Sequence, residues 1–279
     1  MALDIAKLGT TYDELTEVID GDRAKAYAAA TNDDNPAYTS GKYAPPVFAV
    51  VPAWAALGLA VGDVIPPEVL MMVVHGEQDM HFASPLVPGV TLRTAAEAYS
   101  IRVGGSGTRF TVRTRSVDDA SGDLVVEQYI TVFLRGVSDG DSAGPDKPDH
   151  TFPEDARANK VGELSVHVDD DQTFRYRDAS GDQMPIHLDD NFAKSVGLPG
   201  IIAHGLCTMA MTSQAAIKVA ADGDPGRLKR LAVRMSKNVF PGNDVVTTLY
   251  RGAAPGTFPF EAHSAGELVI SNGLAEILP

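Results

Sequence analysis

Asp182 and His187 stand five residues apart, on either side of Pro185, in the stretch Ser180-Gly181-Asp182-Gln183-Met184-Pro185-Ile186-His187. Proline fixes its own φ and biases the preceding Met184 toward extended backbone. The turn is therefore stiff, and the two side chains can converge on one water. Seventeen residues after His187, the pair His204-Gly205 interrupts an apolar run. A carboxylate, an imidazole that titrates near neutral pH and a glycine N–H open to close approach are the parts that add water across a polarised double bond. Each residue alone has an ordinary use, Asp in turns and His as a satisfied core group. The spacing, the proline and the His-Gly step together point to chemistry.

The elements that must position these residues occur twice. Residues 18–38 match 167–187 at a constant offset of 149, with Asp20, Asp22, Tyr27, Ala30, Asp33 and Pro36 repeated as Asp169, Asp171, Tyr176, Ala179, Asp182 and Pro185. Further on the offset is 153: Pro46 matches Pro199, and Pro88-Gly89 matches Pro241-Gly242. Similarity on this scale predicts two copies of one fold. Gly136–Asp155 is rich in Gly, Pro and Asp and lacks an apolar period, which predicts a linker. The halves are placed at 1–135 and 160–279, with 136–159 between them. Each half reads as a short strand (Leu15–Ile19; Leu164–Val168), an Asp that can cap a helix (Asp20; Asp169), and a helix ending at the Asp/Pro turn. A buried apolar helix follows, near 47–62 and 200–220. Strands come next, at Thr108–Arg115 and Leu124–Leu134, then at Leu231–Met235, Val245–Tyr250 and Thr257–Ala262. The pattern predicts an α+β fold in which an antiparallel sheet wraps an apolar helix in each half. In the first half Tyr38 stands where His187 stands, so only the second half is expected to carry a complete site.

Composition removes several function classes. A net charge of −14 argues against nucleic acid and against an anionic membrane surface. The uncharged runs 47–62 and 198–217 are too short or too polar to span a bilayer. One cysteine, Cys207, excludes an internal disulfide. With no signal-peptide core in the first twenty residues, it points to the cytoplasm. Asp169-Asp170-Asp171 lacks the pattern of a calcium loop, and no His-x-x-x-His pair occurs, so no metal site is expected. Gly104-Gly105-Ser106-Gly107 lies between strands and is a turn, not a dinucleotide loop. Arg227, Lys229, Arg230, Arg234 and Lys237 fall in a segment without acids and could meet phosphates. Within it Arg230 and Arg234 alternate with Ala232 and are candidates to bind substrate from one strand face. The bland alternative is a solvated strand end.

The run Tyr176-Arg177-Asp178-Ala179-Ser180-Gly181-Asp182-Gln183-Met184-Pro185-Ile186-His187, followed by Gly200-Ile201-Ile202-Ala203-His204-Gly205-Leu206-Cys207-Thr208, closely resembles the signature of the MaoC-like hydratases. These are the (R)-specific 2-enoyl-CoA hydratases, or hydratase 2. With the duplication counted, the resemblance covers nearly the whole chain. It implies a double hot-dog fold, in which two halves imitate a dimer of single hot-dog chains. It implies that Asp182 and His187 are the catalytic pair and that the Gly205 N–H holds the thioester oxygen. His204, counted among the substrate-binding residues, is read from its setting as acting from behind the reacting groups, its ring hydrogen-bonded to backbone. The substrate would be an acyl-CoA thioester, with no cofactor beyond the coenzyme A it carries, and a homodimer is the assembly considered. The degenerate first half would complete the pseudo-dimer and shape a tunnel for the acyl chain, or serve for packing only. One departure stands out: the family usually has Asn before the proline, and this chain has Met184. Two other readings remain. One is dehydration of a (3R)-hydroxyacyl group on a carrier protein. The other is a non-catalytic acyl-CoA-binding subunit, which intact Asp182 and His187 argue against.

Overall fold

The computed structural model describes residues 2–279. In the first half β1 (Leu15–Val18) leads into α1 (Gly21–Ala30), α2 (Pro36–Thr39) and α3 (Trp54–Val64). Then come β2 (Val73–Phe82), β3 (Thr91–Gly104), β4 (Gly107–Asp118) and β5 (Leu124–Arg135). The second half repeats the order, with β6 (Lys160–His167), α4 (Gln172–Ser180), α5 (Asp190–Ser195) and α6 (Gly205–Ala215). It closes with β7 (Leu228–Met235), β8 (Asp244–Tyr250), β9 (Thr257–Ser264) and β10 (Glu267–Ile277). All ten strands form one antiparallel sheet, in the order β1-β3-β4-β5-β2-β7-β10-β9-β8-β6. The two halves have the same internal order, and they join where β2 pairs with β7 from Glu77 opposite Arg234 to His81 opposite Arg230. This is the expected α+β architecture of two hot-dog halves.

Burial alternates along the strands, as in β3, so one sheet face packs inward on the helices. The two apolar helices are not equivalent. Every residue of α6 from Leu206 to Ala215 is buried. The run read as one buried helix near 47–62 is broken instead. Pro46–Val50 forms a 3₁₀ turn, and helix resumes only at Trp54, past Pro52, whose ring and missing N–H do not suit a helix interior. α3 buries Ala56, Leu57, Ala60 and Val64, while Leu59 is exposed.

The repeat seen in sequence becomes contact in space. The Tyr27 and Tyr176 hydroxyls, 149 residues apart, lie 2.9 Å from each other in the core. Arg23 Nε–H donates to the Ala179 carbonyl at 2.8 Å, and Gln172 Nε2–H donates to the Ala30 carbonyl. These two bonds are related by the same offset, so each half fastens the end of the other's helix. Asp20 caps α1 as expected, accepting from the Arg23 backbone N–H at 2.8 Å. Asp169 does not cap α4. Asp171 holds that position without a side-chain capping bond, and Asp169 instead accepts from Asn32 Nδ2 at 3.0 Å and pairs with Arg175. Nor is the segment between the halves loose. Ala143 bridges Ile101, Arg102 donates to the carbonyls of Ala143, Gly144 and Pro145, and Lys147 pairs with Glu77 at 2.8 Å. Among the described residues no helix is long and apolar enough to cross a membrane.

Candidate active site

The loop that follows α4 is built by its caps. Gly181 closes the helix in the left-handed region, at φ 85°, where glycine carries no steric cost. The Asp182 N–H donates to Ser180 Oγ at 3.1 Å, and Asp182 Oδ1 accepts from the Met184 N–H at 3.1 Å. Pro185 then starts a single 3₁₀ turn that ends at His187. One carboxylate oxygen is thus occupied in ordering the turn, and the other is left for a ligand.

His187 is buried, and its Nδ1 lies 2.8 Å from the Ile202 carbonyl oxygen. A carbonyl only accepts, so Nδ1 carries the hydrogen and Nε2 keeps a lone pair. Burial pushes the ring's pKa below its ordinary value, although the Ile202 carbonyl and the Asp182 charge pull it upward. His204 stacks on His187, with ring centroids 3.9 Å apart. Its Nε2–H donates to the Asp182 carbonyl at 3.3 Å. Burial and the neighbouring His187 lower it to about 3, so it stays neutral. Tyr176 packs on its other side at 4.8 Å. A row of rings therefore links the Tyr27–Tyr176 contact between the halves to His187.

Gly205 is the first residue of α6, so its N–H has no intrahelical acceptor and lies at the positive end of the helix dipole. A Cβ there would sit 3.3 Å from Met235 Cγ. Asp182, His187 and Gly205 line one cavity of about 660 Å³. The first half supplies the opposite wall, with Trp54, Leu57, Val61, Val73 and His75. The cavity thus runs along Trp54, Leu57, Gly58 and Val61 of α3, while Leu59 points away from it. One donor atom each of Asp182, His187 and His204 lies within 4.8 Å of the others, so the three residues form a single cluster.

The two candidate arginines are not brought there. Along β7, Leu231, Val233 and Met235 face the helices, and Arg230, Ala232 and Arg234 face the other side of the sheet. Arg230 forms a two-pronged pair with Asp79, at 2.9 and 2.8 Å, and reaches Glu276 at 3.1 Å. It is 8% exposed and already neutralised. Arg234 is exposed on that same outer face. The substrate-binding reading of both is corrected on this ground. Of the basic segment, Lys237 lines the cavity together with Asn238. Arg227 pairs with Asp222, and Lys229 donates to the Ala83 carbonyl.

Two contributions from the first half escaped the sequence reading. Arg23 Nη2 donates to the Ser180 carbonyl at 2.9 Å, so the loop that carries Asp182 is braced from the other half. His75 enters the cavity because of a register shift. Its one sequence signal is Gly76 inside a strand, which marks a bulge.

Two family profiles match the chain: "MaoC like domain" over residues 154–256 and "MFE-2 hydratase 2 N-terminal domain" over residues 39–136. A Dictyostelium discoideum protein named probable enoyl-CoA hydratase 2 is 30% identical over 213 residues, covering 75% of this chain and 71% of the relative. A Mycobacterium tuberculosis protein named 3-hydroxyacyl-thioester dehydratase Y is 31% identical over 242 residues, covering 83% and 80%. The crystal structure of a MaoC-like dehydratase from Phytophthora capsici superimposes with a TM-score of 0.84, over 99% of this chain and 98% of that one. Its identity is 24%, a likeness of fold.

Proposed function

The chain belongs to the MaoC-like hydratase 2 family, and from that premise we propose that it is a hydro-lyase. It adds water reversibly to a trans-2-enoyl-CoA, giving the (3R)-hydroxyacyl-CoA. The observation that carries the reading is the fixed tautomer of His187, whose Nδ1–H is tied to the Ile202 carbonyl, leaving Nε2 free beside Asp182. A water between them loses a proton to the pair as its oxygen bonds to C3. The π electrons move to the thioester oxygen, where the Gly205 N–H meets the developing charge. The pair then delivers a proton to C2 as the enolate collapses. One water has been added, and Asp182 and His187 return to their starting state. A positioned acid–base pair contributes roughly 10²–10⁴ in rate.

The reaction as written uses no cofactor or metal beyond the coenzyme A of the substrate. We propose CoA esters over carrier-protein esters. An acidic carrier would approach a chain of net charge −14 against long-range repulsion. Arg227 and Arg230 are already spent on internal acids. A cytoplasmic homodimer is the assembly and place we propose, and light scattering on the purified protein tests the first.

The deciding experiment is turnover of short and long trans-2-enoyl-CoA esters, with the product's stereochemistry determined. Asp182→Asn and His187→Ala should each lower kcat by at least roughly 10² while the protein stays folded. Near-normal turnover in a folded His187→Ala protein overturns the assignment.

A further inference from the structure

β2 and β5 pair residue by residue except at one place. His75 lies opposite Val132, but Glu77 lies opposite Thr131, so Gly76 is an extra residue on β2. A Cβ at Gly76 would stand 3.3 Å from the Thr131 carbonyl oxygen, so a side chain would crowd the partner strand. A bulge changes which face the next side chain occupies. Glu77, Asp79 and His81 share the outer face of the sheet, where Glu77 meets Lys147 and Asp79 meets Arg230. Regular alternation would place His75 with them. The bulge turns it inward, level with Val132, into the cavity that holds Asp182 and His187.

There His75 is the one ionisable side chain on a wall made largely of apolar groups, Leu57, Val61, Val73 and Val132, beside the Trp54 indole. Its Nε2 is buried and has no hydrogen-bond partner among the described residues. Burial pushes its pKa down to about 4, against the opposing pull of Gln78 and the Asp182 charge, so the ring is neutral under ordinary conditions. A buried polar atom without a partner is costly, and an acyl chain cannot supply one. A 3-hydroxyacyl thioester, or a 2-enoyl thioester with its attacking water, brings two oxygens to this region. The thioester oxygen belongs to the Gly205 N–H at the start of α6. The other is the oxygen that joins C3.

We propose that His75, turned inward by the Gly76 bulge, hydrogen-bonds the water that becomes the 3-hydroxyl, on the opposite side of the cavity from Asp182 and His187. The proposal rests on the hydratase reading and adds to it a polar contact from the first half. His75 gives and takes no proton in the reaction. It positions the water, and it marks the product hydroxyl for recognition.

The test compares the wild-type protein with His75→Ala and His75→Gln on crotonyl-CoA. It also measures binding of (3R)-hydroxybutyryl-CoA against butyryl-CoA by calorimetry. In His75→Ala, kcat should fall roughly 10–100-fold with KM within about threefold, the loss expected for one directed hydrogen bond. His75→Gln, whose amide can reach the Nε2 position, should recover most of it. The wild-type preference for the hydroxylated ester should vanish in His75→Ala and return in His75→Gln. Should His75→Ala fail to fold, His75→Leu, which fills the space without a polar atom, is read in its place. Wild-type turnover with an unaffected His75→Ala, a loss that His75→Gln does not restore, or an unchanged preference for the hydroxylated ester overturns this proposal alone. A wild-type protein that neither turns over nor binds these esters overturns the hydratase reading and this one with it.

Discussion

Two histidines touch in this site, yet only one can exchange a proton with the cavity. His204 donates Nε2–H to the Asp182 carbonyl, and its Nδ1 is buried without a partner. His187 offers Nε2 to the cavity because Nδ1–H is tied to Ile202. The two rings share burial and differ in which nitrogen the backbone claims. A general base must be neutral to work, and burial lowers the pKa of His187. The neutral form therefore persists below the ordinary imidazole range near 6.5. The acid limb of the kcat/KM profile should lie below that value, since it reports the essential base of the free enzyme. An acid limb at or above pH 6.5 in the wild-type protein would show that a solvated group, not His187, is the base.

The reactive loop is held by elements of both halves. α1 sends Arg23 to the Ala179 and Ser180 carbonyls, the last ones before Gly181. Arg23→Ala leaves these carbonyls to water and frees the loop that carries Asp182. A shift of about an ångström at a reacting group can cost up to 10² in rate, so a fall in kcat of roughly 10-fold with a smaller change in KM is expected. Arg23→Lys should restore it only in part, since an ammonium lacks the planar fork that reaches two carbonyls. Equal kinetics for wild-type and Arg23→Ala proteins would mean that the loop is self-supporting. Such cross-half contacts also mark where reading the sequence stopped. The offset of 149 was visible in the residues, and it reappears as the Tyr27–Tyr176 contact. Asp182, His187 and Gly205 were visible because short-range backbone chemistry brings them together. The partner of Arg230 and the inward turn of His75 depend on strand register across β2, β5 and β7. That register is set by packing of distant segments, and a bulge of one residue reverses a side chain's face. Asp169 failed as a cap for a related reason. Asn32 of the other half and Arg175 claim its carboxylate.

At the scale of the whole molecule, the two copies of one half differ in the residues that the proposed reaction uses. The first half keeps Asp33 at the place of Asp182, but Tyr38 is 1% exposed, and burial pushes its phenol well above the ordinary value. At the offset of 153, Pro52 stands where Gly205 stands, and proline has no N–H to offer an oxyanion. Acid, base and oxyanion donor are thus reduced to the acid alone. Asp33 is itself an unfavourable remnant. Burial raises its pKa to about 6, against the Asn35 N–H and Lys218, which pull it down. Unfolded Asp33 releases its proton near 3.8, and folded Asp33 keeps it to about 6. The folded state binds more protons between these values, so stability falls as pH rises through the window and stays lower above it. An asparagine at this position carries no such dependence, and its side-chain oxygen can still accept from the Asn35 N–H. Asp33→Asn is therefore expected to leave kcat and KM close to wild type. It should raise stability at pH 7 by about 1–3 kcal/mol, a gain that shrinks toward zero as pH falls below 4. Thermal melts of both proteins from pH 3.5 to 7.5, with turnover measured on the same samples, give both readouts. Activity lost as deeply as in Asp182→Asn would place a second working site in the first half. A stability difference that stays flat with pH would show that Asp33 titrates in the fold as it does in the unfolded chain.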